Sequence, residues 1–124
     1  MLNKSKLKHD LYIAQMISNI AHDEASFNID TRQAFVDNHH AYATLLEELD
    51  EAIEAMEILK ENVQMLWLKV RKDAEQEEIN ETLKRITTTS QATIAEVVQV
   101  YAVALKALEQ LGGRNDGKSM YTMF

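Results

Sequence analysis

The chain has no cysteine and no proline, and its three glycines all fall late, at Gly112, Gly113 and Gly117. Residues 1–111 therefore lack both of the main chain-breaking residue types. All-β folds need many short turns rich in glycine and proline, so a sandwich or barrel is excluded. Collagen-like and proline-rich disordered chains fall on the same count. Without cysteine there are no disulfides, no thiolate zinc sites and no cysteine nucleophile. What remains is a chain of long helices joined by a few polar loops, within the length of one domain.

Hydrophobic residues make up 46% and charged residues 27%, a globular balance. The formal net charge is −7, from 13 basic and 20 acidic residues. An acidic chain repels nucleic acid and anionic lipid, so neither is an expected partner. The start, Met1-Leu2-Asn3-Lys4-Ser5-Lys6, is basic but is not followed by an uninterrupted apolar run, so no signal peptide is read there. The expectation is a soluble, cytoplasmic helical protein without a membrane span.

Three helical segments follow from periodicity. The first runs roughly from Ser5 to Ser26, with Leu7, Leu11, Ile13, Ala14, Ile17, Ile20 and Ala21 at helical spacing. Phe27 to Thr31 reads as a connection, with a short turn of helix through Phe35. The second runs from about Asn38 to Lys72, capped by Asp37 or Asn38. Its apolar residues Leu45, Leu49, Ala52, Met56, Leu59, Val63, Leu66 and Val70 are spaced 4, 3, 4, 3, 4, 3, 4, a heptad rhythm. A helix of that length spans about 50 Å and buries such a seam only against another long helix or a second copy of itself. The polar stretch Arg71 to Glu78 marks the reversal.

The third segment runs from about Glu78 to Leu111, with Ile79, Leu83, Ile86, Ser90, Thr93 or Ile94, Val97, Tyr101, Ala104 or Leu105, and Leu108 as its seam. The run Thr87-Thr88-Thr89-Ser90 is where a kink would fall, because β-branched and hydroxyl residues are poor helix formers. Gly112-Gly113 stops the helix. Trp67 and Tyr101 lie on the seams and are read as core. The tail, 112–124, is read as loose, with Met120, Tyr121, Met123 and Phe124 able to dock.

From Ile86 to Leu105 the only charged residue is Glu96. A helix this apolar is buried on most sides. Its many Thr, Ser and Gln residues argue against a transmembrane span. The fold expected is an all-α helical bundle with a long antiparallel hairpin. A homo-oligomer, dimer or tetramer, would complete it, since one short N-terminal helix cannot cover both seams.

Glu47, Glu48, Asp50, Glu51, Glu54, Glu57 and Glu61 fall within fifteen residues of the second segment. Asp50, Glu54, Glu57 and Glu61 point away from the seam, to solvent. Glu48 and Glu51 lie three apart on one flank, at the border of the apolar stripe. If the reversal is centred near 73–74, facing residue numbers add to about 147, with an error of about 4, one helical turn. Glu96 then lands beside Glu48 and Glu51, and Gln99 opposite Glu48. Three converging carboxylates repel one another, and a hard cation, magnesium or manganese, would resolve the repulsion. Pairing of Glu96 with a lysine or arginine, or a place at a wet edge, is the alternative.

The stretch Asn38 to Ala55, NHHAYATLLEELDEAIEA, is similar to phage-encoded MazG-like proteins, a branch of the all-α nucleoside triphosphate pyrophosphohydrolases. That family carries an EExxE motif on one helix and an ExxD motif on the next. Glu47-Glu48-Leu49-Asp50-Glu51 matches the first in full. Glu96-Val97-Val98-Gln99 stands for the second, with Gln in place of the final Asp and a longer spacing between motifs. The resemblance covers roughly Phe35 to Leu111 and assigns 1–111 as one domain. It implies that Glu48, Glu51 and Glu96 bind magnesium, with Glu47 a further ligand or general base. Gln99 would contribute a carbonyl oxygen toward the bound cofactor. It also implies that water attacks the α-phosphorus of a nucleoside triphosphate, releasing a nucleoside monophosphate and pyrophosphate. A phage-encoded protein would work in the host cytoplasm. Two other readings are a nucleotide-sequestering protein that does not hydrolyse its ligand, and a purely structural helical oligomer.

Overall fold

The computed structural model describes residues 3–113, and the docking expected of Met120 to Phe124 lies outside them. The described residues form three helices and no strand: α1 (Lys4–Thr31), α2 (Asn38–Arg71) and α3 (Gln76–Leu111). None is long and apolar enough to cross a membrane. The all-α class and the α2–α3 hairpin are as expected.

Helix ends follow local chemistry. The Asn3 side chain accepts from the Lys6 amide at 2.8 Å and starts α1. Asp37 starts α2 in the same way, its Oδ1 accepting from the His40 amide at 2.9 Å. The His40 Nδ1 in turn accepts from the Val36 amide at 3.1 Å. Lys69 and Arg71 occupy the last turn of α2, and Glu77 and Glu78 the first turn of α3, each matching the helix dipole. Between them Asp73 takes a left-handed φ of 52°, which lets the Asp73 and Ala74 amides bond back to Val70 and Lys69 carbonyls. After Leu111, Gly113 has φ +84°, a conformation that side chains disfavour.

Two expectations about local structure are corrected. Phe27 to Thr31 continues α1 rather than connecting it, because the segment is held from outside: Asn28 bonds across to Lys106. The threonine run does not end α3. Thr87 and Thr88 donate to the Lys84 carbonyl and Thr89 to the Arg85 carbonyl, so the hydroxyls are satisfied within the helix.

The described residues divide into two compact units, one made of the residues up to Leu45 and from Val98, the other spanning Leu46–Val97. In the first, α1 runs parallel to the end of α3. Small residues allow close approach: Ala21 and Ala25 are packed with Ala102 and Leu105, flanked by Val98 and Tyr101. A second cluster joins Phe35, Ala41 and Val103, flanked by Leu45, Ala107 and Leu111. No residue of α1 before Ser18 is buried.

The second unit is a two-helix antiparallel seam. Its positions with reduced exposure are Glu48, Ala52, Ala55, Leu59, Asn62, Leu66 and Lys69 on α2. On α3 they are Ile79, Thr82, Ile86, Thr89, Thr93 and Glu96, with Ser90 beside them. Asn62 donates to Thr89 Oγ1 at 2.7 Å and Lys69 to Thr82 Oγ1 at 2.8 Å. Both pairs, 62 with 89 and 69 with 82, add to 151, so the register lies one helical turn from the expected one.

The seam is also rotated from the expected one. Leu45, Ala52, Leu59 and Leu66 face inward as expected, but Leu49, Met56, Val63 and Val70 are exposed, as are Leu83, Val97 and Leu108 on α3. Trp67, expected in the core, is 60% exposed. The cause is the polar row of each helix. Asn62, Lys69, Thr82 and Thr89 satisfy one another only if they face each other, and this turns the next row outward.

Lys106 holds the first unit together. It is 2% exposed. Its Nζ donates to Asn28 Oδ1 at 2.6 Å and to the Gln33 carbonyl at 2.8 Å, and it stands 4.6 Å from the centre of the Phe35 ring. Burial, and then the Arg32 charge, lower its pKa. The Gln110 side chain accepts the Phe35 amide at 2.9 Å beside it. Lys106→Met keeps the aliphatic stem but removes the donor to two acceptors. It is expected to cost about 2–3 kcal/mol in denaturant unfolding; a loss below about 0.5 kcal/mol would show that the ammonium contributes packing alone.

Candidate metal centre

The acidic stretch of α2 sits on the second unit's helical hairpin, with backbone geometry fixed by helix on both sides. Seam rotation places Glu48 at a half-buried position and leaves Glu51, three residues on, at the flank. Glu96 occupies the equivalent half-buried row of α3. Its neighbourhood is made of small side chains: Ala52 is buried, Ala55 half-buried and Thr93 buried.

Glu48, Glu51 and Glu96 each offer a carboxylate oxygen, and the three oxygens lie within 4.8 Å of one another. The convergence expected of these three residues is therefore present, although the register differs by a turn. Their oxygens are hard donors without sulfur or nitrogen among them, a set that suits magnesium, manganese or calcium.

The electrostatics reflect the crowding. The Glu51 carboxyl is pushed above its ordinary value by lost solvation, then by the charges of Glu96 and Glu47, a side-chain hydrogen bond with Glu96, and the charge of Glu54. Glu51 remains exposed by surface area, so the negative neighbours and the shared proton are the more telling causes.

The remaining candidates are placed differently. Glu47 is exposed and close enough to Glu51 to raise its pKa. Gln99 belongs to the other unit, where its amide donates to Glu24 Oε1 at 3.0 Å. Asp50, Glu54, Glu57 and Glu61 are exposed, as expected.

The polar row that frames the site was not anticipated. Its signal is present in the sequence: Asn62 and Lys69 follow Glu48 at multiples of seven, and Thr82 and Thr89 precede Glu96 by fourteen and seven. The two rows meet, and the carboxylates continue them.

Fold and site together define an all-helical protein with an acidic cluster, on a helical hairpin, that could hold a metal ion. No protein-family model, no curated protein and no solved structure matches the chain.

The raised Glu51 pKa fixes the sign of a pH effect. The folded chain holds this proton more tightly than the unfolded chain. The resulting stabilisation is complete below the ordinary value of 4.5 and is lost as pH rises through the raised one. Glu51→Gln is therefore expected to raise the Tm above that of the parent at pH 7 without divalent cations. The gain should disappear at pH 4 and shrink when magnesium is added at pH 7. Thermal melts at the two pH values check it, and a gain that does not depend on pH would overturn it.

Proposed function

We propose that the protein is a MazG-like, magnesium-dependent nucleoside triphosphate pyrophosphohydrolase, with Glu48, Glu51 and Glu96 as the cation ligands. The observation that carries the reading is the meeting of the three carboxylates from two facing helices. The resemblance of Glu47 to Glu51 to the EExxE motif supplies the reaction. Magnesium or manganese bound there would offset triphosphate charge and make a bound water more acidic. Glu47, exposed and near enough to Glu51 for its charge to raise that pKa, would accept a proton from water. The bond from water oxygen to the α-phosphorus forms and the bridge to the β-phosphate breaks, giving a nucleoside monophosphate and pyrophosphate.

A second reading is favoured by Gln99. It stands where the family has Asp, and its amide is engaged by Glu24. The resemblance gives this position a negative charge, which Gln99 does not supply. On this reading the protein binds a nucleotide and retains it without cleavage.

Calorimetric titration with magnesium or manganese tests the cation site. One ion per chain is expected, with affinity at least tenfold weaker in Glu96→Gln; no binding, or equal binding by the variant, overturns the site. Pyrophosphate release over a panel of nucleoside triphosphates then separates the readings. Release that falls at least a hundredfold in Glu51→Gln supports hydrolysis. Nucleotide binding without release overturns hydrolysis in favour of retention.

A further inference from the structure

The two sides of the second unit's hairpin differ in character. Along α2, the row following the seam positions Glu48, Ala55, Asn62 and Lys69 is Leu49, Met56, Val63 and Val70, all exposed. The matching row of α3 is Leu83, Ser90 and Val97, and Leu83 and Val97 are exposed too. In an antiparallel pair these two rows border the same side of the seam. They therefore form one apolar face, widened by Ile53 and Ile94. The other side of α2 carries Glu47, Glu51, Glu54 and Glu61, all exposed, with Ile58, Met65 and Leu68 exposed among and after them.

Three observations identify what covers the apolar face. The first is area. Its large side chains are 42–58% exposed, which leaves on the order of 700 Å² open, near the roughly 800 Å² that each partner of a stable complex buries. The second is charge. Lys60 is the one charged residue in the α2 rows that form it, on a chain of net charge −7. A like-charged copy meets least repulsion by approaching from this side. The third is the repeat itself. On both helices the inward row and the exposed row together make a single stripe, spaced four and three, aimed between the paired helix and the open side. A helix with two helical neighbours in a four-helix bundle has that stripe. A hairpin supplies two helices, and a two-fold axis supplies the other two.

We propose that a second copy of this chain packs on the face formed by Leu49, Ile53, Met56, Val63, Leu83 and Val97, giving a four-helix bundle of two hairpins. Glu51 lies on the opposite flank, so the interface leaves the acidic cluster open. The proposal does not depend on the cation or the nucleotide.

Light scattering on the full chain, after size exclusion at 10–100 µM, is expected to give twice the 14.2 kDa of one chain. Met56→Glu and Val97→Glu are expected to weaken association at least a hundredfold, and Glu54→Lys to leave it unchanged. A single-chain mass at 100 µM overturns the proposal, as does association that both glutamate variants leave intact. Should those variants lose helicity, the chain's lack of cysteine allows a second test. Single cysteines placed in turn at Leu49, Ile53, Met56 and Val63 are expected to include positions that form an intermolecular disulfide on oxidation, whereas cysteines at Glu47, Glu54 and Glu61 do not. Cross-linking on the acidic side alone overturns the face assignment.

Discussion

The pairing of polar side chains along the α2–α3 seam governs the second unit. Asn62 with Thr89 and Lys69 with Thr82 are hydrogen bonds between neighbouring turns of facing helices. Each would leave a half-buried polar group unsatisfied if the helices slid or rolled. Apolar side chains alone do not impose this. Leucine and valine rows tolerate a turn of slippage with modest loss, because the hydrophobic effect has no direction. The polar pairs fix translation and rotation together, as buried polar residues in helical pairs can. Two consequences follow from that one constraint. Glu96 falls one heptad beyond Thr89, opposite Ala55, and its carboxylate meets those of Glu48 and Glu51. The apolar rows beside the seam are turned toward the outside.

Much of this was legible before any coordinates. The absence of glycine and proline gave long helices; the polar stretch after Val70 gave the reversal; and the lone charge of Glu96 in an apolar helix marked the site. The heptad spacing identifies a real stripe, but it leaves open whether another long helix or a second copy covers it. Half of it lies in the contact between α2 and α3 and half lies open. Hydrophobic periodicity reports the direction of the total apolar burial a helix can reach, and does not say how that burial divides among neighbours. The register could be read only to a turn for a related reason. It depends on which hydroxyl meets which amide or ammonium, and Thr82, Thr89 and Thr93 look alike in sequence.

The first unit escaped sequence reasoning for a different reason. Its contacts come from single residues rather than repeats. Lys106 reads as a surface lysine, yet it is buried against Asn28, the Gln33 carbonyl and Phe35. Nothing local to any of the four predicts the meeting, since they are brought together by the return of α3 past the end of α1. The same contact extends α1 through Phe27 to Thr31, where local signals favoured a connection. Tertiary hydrogen bonds here outweigh a propensity difference of well under 1 kcal/mol per residue.

The reversal at Asp73 has a consequence for how such a protein can change over time. Glu51 lies twenty residues before the end of α2, and Glu96 twenty residues after the start of α3. Each arm is therefore about 30 Å of uninterrupted helix between turn and carboxylates. One residue added to a single arm would swing its glutamate about 100° around the helix and out of the cluster. The hairpin works as a pair of matched rulers: its turn is free to vary in composition, while its arms can lengthen or shorten only together and by whole heptads.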